Sequence, residues 1–281
     1  MKLFTWSLIA AGLLAIGVRP TTAQLALYDD FSSPHLLPHL WKSIGDLSTS
    51  LDVVRTIEEG KLRLALTTFA FEGNTGAHQG SVGLTLRETT GVTQLAAEVT
   101  VTAATFEDCP QNPLTPTSLV ELGGTYFNDG TSTGPKDFTG DIQATVARVA
   151  EATDPSGGQV VAQLSRCLNA ACSQVKPLGQ RVFATPWERG KPQRSQVIWR
   201  PGTQDFLFRL NPGPNAEVKT LSYQALQLPK PLPPAVHASR FVQVRNVVSN
   251  CAAGPLLDSI SATIDNVQTN AAAPARVSEA E

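Results

Sequence analysis

Eleven short runs in which apolar and polar residues alternate, broken along the chain by Gly, Pro, Asn and Asp, constrain this chain more than anything else in it. A period of two is the period of a β-strand with one buried face. Gly60 to Leu66 is typical, with Leu62, Leu64 and Leu66 set against Lys61, Arg63 and Ala65. The others are Gly83 to Arg87, Gln94 to Thr102, Leu119 to Phe127, Asp141 to Val149, Gln159 to Arg166, Arg194 to Trp199, Asp205 to Leu210, Val218 to Gln224, Arg240 to Val247 and Ser259 to Gln268. Many short strands with short turns predict an all-β fold, an antiparallel two-sheet sandwich or a barrel. The single helix-like stretch is His35 to Trp41, which Pro34 and Pro38 limit. Asp108 to Pro116, Asn128 to Gly140 and Pro229 to Pro234 read as loops, the last extended and semi-rigid.

The chain starts with the pattern of a secretory signal peptide: Lys2, an apolar run from Leu8 to Val18, and small residues at Thr21-Thr22-Ala23. Residues 1–23 are therefore expected to be removed and the product exported, to periplasm or medium. Residues 24–270 form one β-sandwich domain. Residues 271–281, small and charged without apolar period, form a disordered tail. Without the leader the chain carries 20 basic and 24 acidic residues. That balance gives no electrostatic footprint for nucleic acid or an anionic membrane. No second apolar run is long enough to span a bilayer, so membrane insertion is not expected. The oligomeric state is not written in the sequence.

Four cysteines allow three pairings. Cys167 and Cys172 flank Leu-Asn-Ala-Ala, a hairpin tip between two strand-like runs, so a bridge there needs only neighbouring strands. Cys109 and Cys251 then pair and tie distant parts of the chain, contributing on the order of 4–5 kcal/mol by loop closure. A metal site is the competing reading, but no Cys-x-x-Cys or His spacing supports it.

The ends of the exported chain carry a pattern of their own. LYDDFSS (Leu27 to Ser33) leads through Trp41 to EEGKLRL (Glu58 to Leu64), and SATIDNVQT (Ser261 to Thr269) closes the chain. In this order the motifs resemble the concanavalin A-like lectin and glucanase family of jelly rolls, which implies an antiparallel two-sheet β-sandwich. That fold hosts lectins, glycosidases, lyases and adhesive modules, so it does not choose among them. The resemblance also implies a structural calcium where first and last strands meet, with Asp265 as a ligand and Asp30 beside it; the competing reading is that both carboxylates bond local backbone.

Each kind of chemistry this fold can host needs its own residue pattern. Glycoside hydrolysis needs two carboxylates across a cleft, and the Glu-x-Asp-x-(x)-Glu spacing of this fold's glucanases is absent. Glu58 and Glu59 are adjacent, as are Glu107 and Asp108, and Glu121 stands alone. A polysaccharide lyase would use an Arg with a Tyr or His. Arg148, Arg209 and Arg245 sit in strand-like runs, where the competing reading makes them the solvated face of a sheet, and His35, His39, His78 and His237 fall outside those runs. Glycan binding needs an aromatic platform and a few amide or carboxylate partners. Its candidates are Trp187, set in the polar stretch TPWERGKP, and Tyr126 with Asn128 and Asp129; core packing and turn chemistry are the competing readings. Calcium has a second candidate in the loop holding Asp129, Asp137 and Asp141. The expectation is a secreted, non-catalytic carbohydrate-binding or extracellular-surface module with a glycan partner. The alternatives are a polysaccharide-degrading enzyme, lyase before hydrolase, or a structural or adhesive protein with a protein partner.

Overall fold

The computed structural model describes residues 24–134, 137–224, 238–271 and 273–274. The stretch read as a signal peptide (residues 1–23), Pro229 to Pro234, His237 and residues 272 and 275–281 of the expected tail lie outside the described residues. The strands are β1 (Ala26–Asp29), β2 (Trp41–Ile44), β3 (Ser50–Glu58), β4 (Lys61–Phe69), β5 (Ala77–Leu86), β6 (Gln94–Thr105), β7 (Thr117–Asn128), β8 (Asp141–Glu151), β9 (Asp154–Cys167), β10 (Val175–Val182), β11 (Trp187–Glu188), β12 (Gln193–Arg200), β13 (Asp205–Leu210), β14 (Glu217–Ser222), β15 (Ser239–Ser249) and β16 (Leu257–Thr269).

They form two antiparallel sheets. One runs β14-β13-β12-β6-β16-β4-β3, with β1 on β16; the other runs β10-β9-β8-β7-β15-β5-β2, with β11 on β9. β4 pairs with Leu257 to Ile264 of β16 and β1 with Val267 to Thr269, so the first strand meets the last. The expected antiparallel two-sheet β-sandwich is the fold. All eleven alternating runs lie wholly or largely on strands.

The helix-like stretch does not become a helix. The Leu40 and Trp41 amides both donate to the Leu37 carbonyl at 3.0 Å, which closes one turn, and Trp41 then opens β2. The following Pro38 has no N–H to continue a helical ladder. His78 also departs from expectation, lying within β5. β10 is the outer strand of its sheet, and its register breaks between Pro177 and Gly179.

Inward positions of facing strands fill one apolar core. β4 contributes Leu62, Leu64 and Leu66, β8 Ile142, Ala144 and Val146, and β16 Ile260, Ala262 and Ile264. The same inward parity carries polar residues. Arg148 follows Val146, Arg240 and Asn246 bracket Val242 and Val244, and Asp258 precedes Ile260; all four are buried. Asn246 ties the sheets together: its Nδ2 donates to the Leu66 and Asp258 carbonyls at 3.1 and 3.0 Å, and its Oδ1 is paired with the Ser118 hydroxyl at 2.7 Å.

Arg148 therefore does not belong to a solvated face. Its Nη2 donates to the Gln193 carbonyl and the Ser195 hydroxyl at 2.7 and 3.1 Å. Burial alone lowers its guanidinium to about 9. Arg240 lies over the Tyr126 ring, 3.6 Å from its centroid, and donates to the Val92, Thr125 and Ser239 carbonyls. Arg209 and Arg245 stay partly exposed. Both expected disulfides are present, Cys109–Cys251 and Cys167–Cys172, with Cα separations of 5.6 and 4.8 Å. The second closes the β9–β10 hairpin tip.

Candidate functional site

The residues singled out for sugar binding turn inward. Trp187 is 1% exposed, and its indole Nε1 donates to the Val149 carbonyl at 2.8 Å. The ring closes over Gly158, where a Cβ would stand 3.0 Å from Nε1. The polar neighbours that suggested a surface position are turns and a two-residue strand on either side of an anchored ring. Tyr126 is fully buried beneath Arg240, and burial pushes its hydroxyl up to about 12. Neither ring is available to stack on a sugar.

Asn128 and Asp129 are also engaged internally. The Asn128 amide donates to the Thr139 carbonyl (2.8 Å) and to Asp141 Oδ1 (2.6 Å), and its Oδ1 accepts from the Gly130 and Ser132 amides. Asp129 holds the Thr131 amide and hydroxyl through Oδ1 and Arg166 through Oδ2. Asp137 accepts from Thr133 and Thr139, and these hydrogen bonds hold its carboxyl well below the usual range. The loop is knotted by turn chemistry.

The calcium candidates do not assemble into a donor set. Asp30 Oδ1 accepts from the Ser32 amide, and its hydrogen bonds to Ser32 lower its carboxyl. Asp265 Oδ1 accepts from the Asn266 amide. The neighbouring Asp29 is the buried one of the pair, bonded to the Phe31 amide and to the Trp41 indole at 2.8 and 2.7 Å. Among the described residues no group of three or more His, Cys, Asp or Glu side chains is placed to hold a metal ion. The first and last strands do meet, but the acids at the junction bond local backbone and an indole.

What the fold does build is a groove of roughly 330 Å³ on the outer face of the β10-to-β2 sheet. Its floor follows β15, whose successive outward residues Ser239, Phe241, Gln243 and Arg245 all line it. Alternate residues of a strand share a face, and the neighbouring strands add Thr125, Gln143, Gln79 and Ser81. One wall is the disulfide-closed tip, with Phe138, Ala171, Cys172 and Val175; the opposite wall carries Ile44 and Asp46. The Phe138 and Gly140 amides donate to the Ala170 and Cys167 carbonyls at 3.0 and 2.9 Å, so loop and tip stand as one piece. Beside the floor, Glu121 accepts from Gln243 Nε2 at 2.7 Å and approaches Arg245 Nη2 at 3.5 Å. Sequence reasoning did not single out Gln79, Gln143 or Gln243. Their signal is present in the outward parity of β5, β8 and β15, the same alternation that any wetted sheet face shows.

No family model and no curated protein matches the chain. Among solved structures it is similar to the exoplasmic/lumenal domain of VIP36 in its Ca2+/Man3GlcNAc-bound form. The identity there is 12% over 86% of this chain and 90% of that one, with a TM-score of 0.39. It is similar also to a legume lectin-like domain from Entamoeba histolytica (7% identity, 85% and 95% covered, TM-score 0.40). A third is lectin I from Ulex europaeus in complex with the methyl glycoside of α-L-fucose (10% identity, 88% and 98% covered, TM-score 0.37).

Proposed function

We propose that residues 24–270 are an exported, non-catalytic glycan-binding module and that the groove along β15 holds the sugar. The observation that carries this reading is the chemistry of the lining. Amides and hydroxyls from Gln79, Ser81, Thr125, Gln143, Ser239 and Gln243 converge beside Phe138, over a floor that includes the largely buried Phe241. Donors and acceptors beside an aromatic ring suit a polyhydroxylated ring with an apolar face.

The same lining argues against hydrolysis and elimination. Two-carboxylate catalysis needs an acid and a base or nucleophile facing one bond. Glu121, beside the floor, is held by Gln243 and Arg245, and Asp46 sits on the far wall with its carboxylate on the Ser48 amide. Arg245 has no Tyr or His among the residues lining the groove with it. The reading needs no metal, since Asp30 and Asp265 form no shared donor set.

A glycan array run with and without chelator tests the function. Binding in both conditions is expected. Absence of binding in either would sink the glycan reading, and binding abolished by chelator would restore a metal to the site.

A further inference from the structure

We infer that the end of the sandwich where the β4–β5, β6–β7 and β15–β16 connections meet is a docking surface for another polypeptide, and that a hollow there takes a lysine or arginine side chain of that partner. The hollow lies on the opposite sheet from the groove along β15, and the inference does not depend on the glycan reading. Strand register places it. Leu66, Ala104 and Ile260 point into the core, so Thr67, Thr105 and Ser259 point outward. Ser259 pairs with Thr67 on one side and Thr105 on the other, and Leu257 pairs with Phe69. Thr67, Thr105, Leu257 and Ser259, with Phe106 and Glu107 just past β6, line a hollow of roughly 390 Å³.

Charge selects the guest. Residues 70–76, 106–116 and 250–256, which make the three connections, contain no Lys, Arg or His. They bring Glu72, Glu107 and Asp108, and Asp258 stands fully buried behind the Glu107 amide that it accepts from at 3.0 Å. Among the described residues none of these four carboxylates is in an ion pair, and Arg63, the outward Arg further along β4, is paired with Glu58. Glu107 holds the Leu257 amide through Oε2 at 2.7 Å, and its Oε1 has no hydrogen-bond partner among the described residues. The Thr105 and Ser259 hydroxyls, 2.6 Å apart, stand beside it as further acceptors. One carboxylate with neighbouring hydroxyls suits an ammonium or guanidinium head.

The surroundings of the hollow make the cation part of a polypeptide. Leu257 is 39% and Phe71 46% exposed, and the Phe71 ring meets that of Phe69 edge-on with centroids 5.3 Å apart. The stem of a Lys or Arg lies along apolar surface while its head stays among polar groups. Apolar residues next to it in the partner's chain would cover the remaining shelf, which a small free cation would leave wet. The surface is also built before a partner arrives. The Cys109–Cys251 bridge joins two of the connections. The Ala70 amide donates to the Leu256 carbonyl at 2.9 Å and the Cys251 amide to the Phe71 carbonyl at 3.2 Å, which fastens the third. A surface already ordered loses less freedom on binding.

Fluorescence anisotropy with the intact protein tests this, using short labelled peptides that carry one Lys or Arg between apolar residues and matched peptides with Glu or norleucine in its place. The Lys or Arg peptide is expected to bind about tenfold or more tightly than both matches, a gap of about 1.4 kcal/mol or more. Glu107→Gln removes the charge and keeps an acceptor for the Leu257 amide; it should weaken the cationic peptide about tenfold, and Phe71→Ser about fivefold, each with a cooperative melt retained. Glu188→Gln, at an exposed acid on β11, should leave binding unchanged. Equal binding of the Glu or norleucine peptide, an equal loss in Glu188→Gln, or no binding by any of the peptides overturns the inference. Spermidine competing as well as the peptides would overturn it by giving the hollow to a small free cation. Sedimentation of the protein alone as a dimer that Phe71→Ser dissociates would overturn it by giving the surface to a second copy.

Discussion

Replacing Asp258 by Asn should make the protein more stable at neutral pH, although it alters a buried side chain that already makes a hydrogen bond. Asp258 lies on the inward face of β16, fully buried. Its Oδ1 accepts from the Glu107 amide at 3.0 Å, and its Oδ2 has no hydrogen-bond partner among the described residues. Burial is the main cause that raises its carboxyl from 3.8 to about 7; the Glu107 amide opposes this and the charges of Glu107 and Asp108 add to it. The folded protein therefore keeps a proton that the unfolded chain releases above its ordinary pKa. Stability from this group is fully present below about pH 4, falls as the pH climbs toward 7, and stays low above that. At about 1.4 kcal/mol for each tenfold change in proton affinity, the ceiling on the loss is about 4 kcal/mol. Asn has the same shape and cannot ionise, so Asp258→Asn removes the loss. Urea unfolding of both proteins at pH 4 and pH 8 measures it. The variant should be roughly 2–4 kcal/mol more stable at pH 8, with the gap shrinking to under about 1 kcal/mol at pH 4. A variant less stable than the parent at pH 8, or a gap that is equal at both pH values, would refute the argument.

Other perturbations read different parts of the sandwich. Arg148 has two guanidinium nitrogens, Nε and Nη1, without partners among the described residues; Arg148→Met should be neutral or stabilising by about 1–3 kcal/mol in denaturant melts, and a clear destabilisation would show that the Gln193 and Ser195 bonds outweigh desolvation. Trp187→Phe keeps most of the packing but strips the Val149 carbonyl of its donor, so a loss of about 1–3 kcal/mol is expected, and no loss would mean that the indole is not anchored. The bridges differ in loop length, 142 residues for Cys109–Cys251 against 5 for Cys167–Cys172. Paired Ser substitution should cost about 5 kcal/mol at the first and about 2 kcal/mol at the second, and the reverse order would contradict the loop-entropy account.

Strand parity makes most of the sandwich legible in the amino-acid sequence. The strands that escape it are those where packing does not impose it. β3 closes one sheet and is wetted on much of its length, β10 closes the other and contains Pro177, and β1, β2 and β11 are four residues or fewer. Parity also places the buried charges. Arg148 shares its face with Ile142, Ala144 and Val146, Arg240 with Val242 and Val244, and Asp258 with Ile260 and Ala262. Each is therefore an inward residue by the rule that locates its strand, and polarity alone argues otherwise. Trp187 is illegible for a different reason. The residue that admits its ring, Gly158, lies in β9, and nothing in TPWERGKP points to it. The groove is hidden for a related reason: an outward Gln in one strand means little until the register sets β5, β7, β8 and β15 side by side.

The interrupted outer strand β10 has a consequence for how these molecules behave in a crowd. An open sheet edge offers a ladder of donors and acceptors on which another chain can crystallise. Here Pro177 has no N–H to offer, the register break at Gly179 bends the row, and Lys176 and Arg181 put like charges on any would-be neighbour of the same kind. A second copy finds no continuous template there. The break works as a stop codon for sheet growth at this edge.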